Sequence, residues 1–263
     1  MDGMGMGPDF WIFFAVGVAA QLVDGALGMA YGVVSSTVLL ALGVPPANAS
    51  ASVHAAKVFT GAASALSHIA YRNIGWKLLL HLSAGGVLGG VLGTYVLTSI
   101  DGKVIKPWVV AWLGVMGLVI LWRAWKGTRP RVMSWKRPGP LGLVGGFFDA
   151  VGGGGWGPVV TSTLMGSGAD PRQAIGTTNA AEFFVAVAIS ATFVGAIVSG
   201  HWDAIGLRDH VWSVGGLIAG GVLAAPLAGW MTKVLPVRAL TWLVGLLVTG
   251  LAIWQGATLA GLS

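Results

Sequence analysis

The chain has no cysteine. Disulfides, thiolate metal sites, cysteine nucleophiles and covalently attached c-type haem are therefore excluded. Charge is nearly as scarce. The 15 Lys and Arg and 9 Asp and Glu make up 9% of 263 residues, where a soluble domain of this size carries about 25%. Too few charges remain to cover a water-facing surface. A disordered or fibrous chain is excluded as well, because 55% of the residues are hydrophobic and the 43 glycines follow no three-residue period. This composition demands lipid as its solvent.

A helix crossing about 30 Å of hydrocarbon needs roughly 20 apolar residues. Seven segments of that order are predicted, over 10–27, 50–70, 77–99, 105–125, 176–199, 211–232 and 239–260. Three more, over 31–43, 139–152 and 157–168, hold only 12 to 14 residues. They read as halves of broken or re-entrant helices, which exist at membrane depth only when buried in protein or lining a cavity. The fold class is an all-α polytopic membrane protein. The opening MDGMGMGPD has no basic run, so the first segment is expected to be kept rather than cleaved as a leader. Trp11, Trp76, Trp108, Trp125, Trp202, Trp212, Trp230 and Trp242 fall near the segment ends, where amphipathic rings settle at the headgroup level. Trp112 and Trp156 do not fit that pattern.

The stretch Arg123 to Arg137 holds six basic residues and no acid. The positive-inside rule makes it cytoplasmic. Counting outward, with each broken pair as two passes, 11 basic residues fall inside, against Lys103, Lys106 and Arg208 outside. Both chain ends are then expected outside. The net charge of +6 describes a membrane-facing rim, and a nucleic-acid partner is not expected.

Residues 24–59 align without a gap on 149–184, with 11 identities in 36 pairs. Among them are Asp24/Asp149, Gly28/Gly153, Gly32/Gly157, Pro46/Pro171 and Phe59/Phe184. At a slightly larger offset, Gly85, Gly89 and Gly114 align on Gly216, Gly220 and Gly245. Each half carries five apolar segments, an odd number, so the second copy is expected to enter from the opposite face. The division predicted is a first repeat over 1–126, a basic linker over 127–138 and an inverted second repeat over 139–263. Inverted repeats with discontinuous helices are characteristic of secondary transporters, whose site lies near the midplane. The discontinuities here are Gly25 to Gly32, with Gly28 between them, and Gly152, Gly153, Gly154, Gly155, Gly157 and Pro158.

The duplicated pattern DGALGMAYG and DAVGGGGWGP, each followed by a short helix and then PPANASASVHAAKVF or DPRQAIGTTNAAEFF, resembles the sulfite exporter TauE/SafE family over nearly the whole chain. The resemblance implies a bacterial-type inner-membrane transporter of small anions, often sulfur-containing oxyanions such as sulfite or an organosulfonate, sulfoacetate for example. It fixes neither substrate nor direction. Gly154 and Gly155 stand where the first break has Met29 and Ala30, so the two breaks need not bind alike.

Lys57 falls within a membrane segment, where a charge is costly and marks function by default. Its counterpart in the repeat is Glu182. One reading makes Lys57 the counter-charge of a substrate anion and Glu182 a proton-coupling group. The other makes Lys57 snorkel to the interface, or pairs the two structurally. His54 shares a helix face with Lys57, and Asn179 with Glu182. Ser50, Ser52, Thr177 and Thr178 are placed at the starts of these helices, where hydroxyls and free N–H groups hold an oxyanion or simply cap. Asp24 and Asp149 precede the breaks, as coupling groups or as acceptors for unwound backbone.

Gly152, Gly154 and Gly157 spell GxGxxG without a βαβ context, so no dinucleotide site is expected. Gly85, Gly89 and Gly93, like Gly216, Gly220, Ala224 and Ala228, form small-residue stripes for helix packing. The histidines show no metal-ligand spacing, no phosphate-binding loop is present, and no cofactor is expected. A secondary transporter is the leading function, rocking one repeat against the other about the glycine breaks and Pro226. A passive anion channel is the alternative. A membrane-embedded enzyme lacks a catalytic constellation.

Overall fold

Proline sets where four of the helices begin. Its fixed φ and missing N–H suit the first helical position, and α1 (Pro8–Leu27), α3 (Pro46–Ala70), α6 (Pro138–Gly152) and α8 (Pro171–Val198) all start on one. Between and after them lie α2 (Tyr31–Ala41), α4 (Trp76–Ser99), α5 (Gly102–Lys126), α7 (Ser162–Gly166), α9 (Val211–Ala224) and α10 (Val237–Leu259). The computed structural model describes residues 8–126, 138–167, 169–203, 210–227, 230 and 237–261, and among these there is helix and no strand. Most of the basic linker, with Arg208, Ala228 and Lys233, lies outside the described residues.

Among the described residues, five helices contain a stretch long and apolar enough to cross a membrane: Phe10–Leu27, Trp76–Ser99, Gly102–Lys126, Pro171–Val198 and Arg238–Leu259. The protein is a multi-pass, all-α membrane protein. α3 is as long as these but too polar, and the reason is burial. Its Ser50, Ser52, His54, Lys57, Thr60, Ser64 and His68 are shielded from the surroundings by neighbouring helices, so they never meet lipid. Two boundaries differ from expectation at the start of helices, since α3 and α8 begin at Pro46 and Pro171 rather than at 50 and 176. A third differs at an end. The segment over 211–232 leaves α-helix at Ala224 and passes into a 3-10 turn, Ala225–Leu227, because Pro226 has no N–H to continue the ladder. The short stretch after the second break is likewise divided, into a π-helical turn, Gly157–Thr161, and α7.

Backbone against backbone is the rule at the two closest helix contacts. A Cβ on Gly85, Gly89 or Gly93 of α4 would meet the carbonyl oxygen of Gly139, Leu143 or Phe147 on α6, and Gly146 of α6 faces the carbonyl of Gly86 in return. The same arrangement joins α9 to α1, where Gly216 and Gly220 face the Phe10 and Phe14 carbonyls and Gly17 faces that of Leu217. In lipid there is no hydrophobic drive between helices, so this closeness supplies the attraction. The pairing exchanges partners: the first helix of each half packs on the fourth segment of the other, while α3 packs on α8 and α5 on α10.

One end of the bundle gathers the start of α3, the link between α4 and α5, and the loop after α8, where Ser99 lies 2.9 Å from the His201 ring. The opposite end gathers the loop after α3 with the starts of α6 and α8, where Gly75 N–H donates to Thr177 Oγ1 at 2.9 Å. Trp11, Trp76, Trp108 and Trp125 are exposed near helix ends, whereas Trp156 is fully buried and Trp112 stacks on Phe148 at 4.0 Å.

Candidate functional site

The two helix breaks share one design. After α1, Asp24 Oδ1 accepts from the N–H groups of Ala30 (2.7 Å) and Tyr31 (3.1 Å). After α6, Asp149 Oδ1 accepts from Gly155 (2.9 Å) and Trp156 (3.1 Å). A carboxylate thus satisfies backbone donors that the interrupted helix leaves open, which membrane depth requires. Gly28 and Gly153 both take φ +65°, a conformation that glycine adopts without Cβ strain. The breaks also cross each other. A Cβ on Gly32 would press on Gly153 and Gly154, and one on Gly157 on Gly28 and Met29. At Gly153 a Cβ would further collide with Ser36 Oγ. Gly153→Ala is expected to cost about 1–3 kcal/mol, read as a lowered unfolding temperature in detergent, and an unchanged temperature would show the break to be plastic.

Beside this crossing sits a cluster of charge. Asp149 receives Lys57 Nζ on both carboxylate oxygens, at 3.0 and 2.8 Å, and His54 Nε2 on Oδ2 at 3.0 Å. The same Nζ lies 2.6 Å from Glu182 Oε1. His54 Nδ1 is 2.8 Å from the Ser50 carbonyl. Because α3 starts at Pro46, Lys57 stands eleven residues along it, about 16 Å from its end at ~1.5 Å per residue. That depth, and an exposure of 3%, are incompatible with snorkelling. The two carboxylates differ: the Asp149 side chain is wholly enclosed, while Glu182 keeps 15% of its surface open. Glu182 borders a narrow pocket of about 10 Å³, lined also by Asp24, Lys57, Tyr31, Thr60, Ser64, Gln21 and Asn179.

The candidate residues divide. Lys57, Glu182, Asp24 and Asn179 line the pocket, and His54 and Asp149 stand directly behind Lys57. Ser50, Ser52, Thr177 and Thr178 occupy helix interiors, not the starts where they were expected, so their N–H groups are not free ends. Ser50 Oγ donates to the Ala150 carbonyl at 2.6 Å, fastening α3 to the end of α6. Thr177 serves the loop before α4. Thr178 is hydrogen-bonded within α8 at 2.8 Å and touches the Thr161 hydroxyl. Ser52 borders a separate apolar pocket between α3, α8 and α9. Asn179 Nδ2 reaches Ser64 Oγ (3.4 Å) and His68 Nε2 (3.3 Å), leaving Oδ1 without a partner among the described residues. Gly25 and Gly152 close α1 and α6 from within the helices. Sequence reasoning missed Gln21, Thr60 and Ser64. The last two extend the Lys57 face at three- and four-residue steps, a signal that was there to be followed.

Apolar spans arranged around a buried charged pocket are the architecture of a membrane transport protein. Residues 13–254 match the family model described as sulfite exporter TauE/SafE, and the chain belongs to that family. A relative described as "Probable membrane transporter protein YtnM", from Bacillus subtilis (strain 168), is 41% identical over 253 residues, covering 94% of this chain and 81% of the relative. No solved structure matches the chain.

Proposed function

We propose that the protein is a secondary carrier of a small sulfur-containing oxyanion, sulfite or an organosulfonate such as sulfoacetate, which binds at Lys57 in competition with Glu182 and is coupled to protons. The observation that carries this reading is the Lys57 ammonium held between two carboxylates of unequal exposure. A lysine so placed is not a vacant counter-charge. An incoming anion must replace Glu182, the partner at the pocket edge, while Asp149 stays fixed by two backbone N–H groups and His54. Proton uptake by Glu182 weakens its hold on Lys57, so proton binding and anion binding favour each other, and this linkage is reciprocal. The pocket, at about 10 Å³, has room for about one water, so the space an anion takes is the space Glu182 gives up when it is displaced.

Access would alternate between faces through two inverted repeats, 1–126 and 139–263. Three observations support this: the matched breaks at Asp24 and Asp149, the exchanged glycine contacts, and the loops after α3 and α8 lying at opposite ends of the bundle. Rocking of one whole half against the other would strip the glycines of α4 from α6. The pairs α1/α9 and α4/α6 would instead move as units, with the glycine breaks and Pro226 as hinges. With the basic linker cytoplasmic in an inner membrane, the loop after α3 faces the cytoplasm and the loop after α8 faces outward. Since the chain has no cysteine, Arg72→Cys should label only from the cytoplasmic side and His201→Cys only from outside. Labelling of both from one side would end the inverted-repeat reading.

In proteoliposomes, Glu182→Gln is expected to keep anion counterflow while losing accumulation driven by an imposed pH gradient. Full gradient-driven accumulation in this variant would remove the coupling role. Uphill accumulation by the wild-type protein separates a carrier from a passive channel.

A further inference from the structure

Arg123 has no role in the pocket just described, and its surroundings are unusual for a guanidinium. It lies in the last turn of α5, partly buried, and turns toward the crossing of the two breaks. Nη1 is 3.0 Å from Ser162 Oγ and 3.4 Å from Met29 Sδ, and Nη2 contacts Met165 Sδ. Met29 and Met165 are themselves 2% and 5% exposed. Among the described residues no carboxylate pairs with Arg123, whereas Lys57 has two. Thioethers are weak acceptors and a guanidinium carries five donors, so this partly buried cation is left with poor partners. Capping of its own helix does not explain it. The α5 carbonyls of Ala124 and Trp125 are taken by Arg238, at 3.1 and 3.4 Å.

We propose that Arg123, with Ser162, forms a second anion subsite, distinct from Lys57, that receives a small oxyanion on the α5 C-terminal side of the protein. A guanidinium presents two parallel N–H groups, which fits an anion with at least two oxygens on one centre, such as a sulfonate or sulfate-type ion. The Ser162 hydroxyl supplies a third donor. The methionine side chains are unbranched and flexible, and they can swing aside to admit the ion without moving backbone. Met29 belongs to the first break, while Ser162 and Met165 belong to α7 after the second. An ion that takes the Arg123 donors from Met29 and Met165 therefore loosens a tie between the two breaks at the moment of arrival. The subsite does not depend on Lys57 being the transport centre.

The absence of native cysteine gives a direct test. Ser162→Cys places a single thiol at the subsite, and Thr163→Cys places one a residue away on the exposed side of α7 as a control. Maleimide labelling is followed in detergent with sulfate or methanesulfonate, which do not consume the reagent, against chloride at equal ionic strength. Both oxyanions are expected to slow labelling at position 162 about tenfold once near saturation, and to leave position 163 unchanged. Adding Arg123→Gln should abolish the protection, and Arg123→Lys should retain part of it through charge without the fork. Four results would overturn the proposal: no protection beyond chloride, equal protection at 163, undiminished protection with Arg123→Gln, or a thiol at 162 that never labels. Wild-type protein supplies an independent reading. Ligand binding to the folded state raises its stability, so the unfolding temperature should rise with methanesulfonate, and by less with Arg123→Gln. An equal rise in both would also overturn it.

Discussion

Lys57→Met is expected to abolish transport and to lower stability by about 3–5 kcal/mol, the usual cost of removing one partner from a buried ion pair. The methionine fills similar volume, so the loss is electrostatic. Asp149 and Glu182 would be left facing each other without the ammonium that lies 2.8 and 2.6 Å from them. Unfolding in detergent reads the stability, and uptake in proteoliposomes reads the function. Adding Glu182→Gln to Lys57→Met removes one stranded charge and should restore much of the stability while restoring no transport. This separation distinguishes a substrate-binding lysine from a structural one. If the double variant transports, or the single variant binds anion with unchanged affinity, Lys57 is a strut and nothing more.

Gly89→Leu should be as damaging by a different route. The carbonyl oxygen of Leu143 occupies the place its Cβ would take, and backbone of a neighbouring helix cannot step aside as a flexible side chain can. The α4 and α6 axes would have to part, with the loss of contacts that hold helices together in lipid. A loss of folded protein is expected, corresponding to more than about 3 kcal/mol, the upper range for overpacking. Gly250→Ala is the matched control. Nothing lies within 4 Å of the added methyl group, and Ala favours helix over Gly by up to ~1 kcal/mol. Comparable yields of Gly89→Leu and wild-type protein after mild detergent extraction would mean that the glycine stripe is incidental.

The apolar spans were legible because lipid imposes a length and a composition on a crossing helix. The breaks were legible from glycine placement, and their acceptors from Asp24 and Asp149 standing just before them. The starts of α3 and α8 were misjudged because hydropathy begins at 50 and 176, whereas a proline with its fixed φ begins the helix at 46 and 171. That shift of about one turn moved Ser50, Ser52, Thr177 and Thr178 from helix ends to helix interiors. Lys57 and Glu182 could be named as counterparts, but their sharing of Asp149's neighbourhood is a tertiary fact, set by the crossing of α3, α6 and α8 and separated by 92 residues along the chain between Lys57 and Asp149. Arg123 was counted among the residues of a basic rim. Its inward turn depends on which side of α5 meets α7, and no periodicity in the chain encodes that.

The exchange of helix partners has a consequence for how the protein is made. Gly17 of α1 waits for Leu217 of α9, which leaves the ribosome about two hundred residues later. Until then α1 sits in the bilayer with its closest-fitting side bare, and α4 stands in the same position with respect to α6. Neither half can complete its own assembly, so the two halves produced separately should be degraded alone and recovered only when made in the same cell.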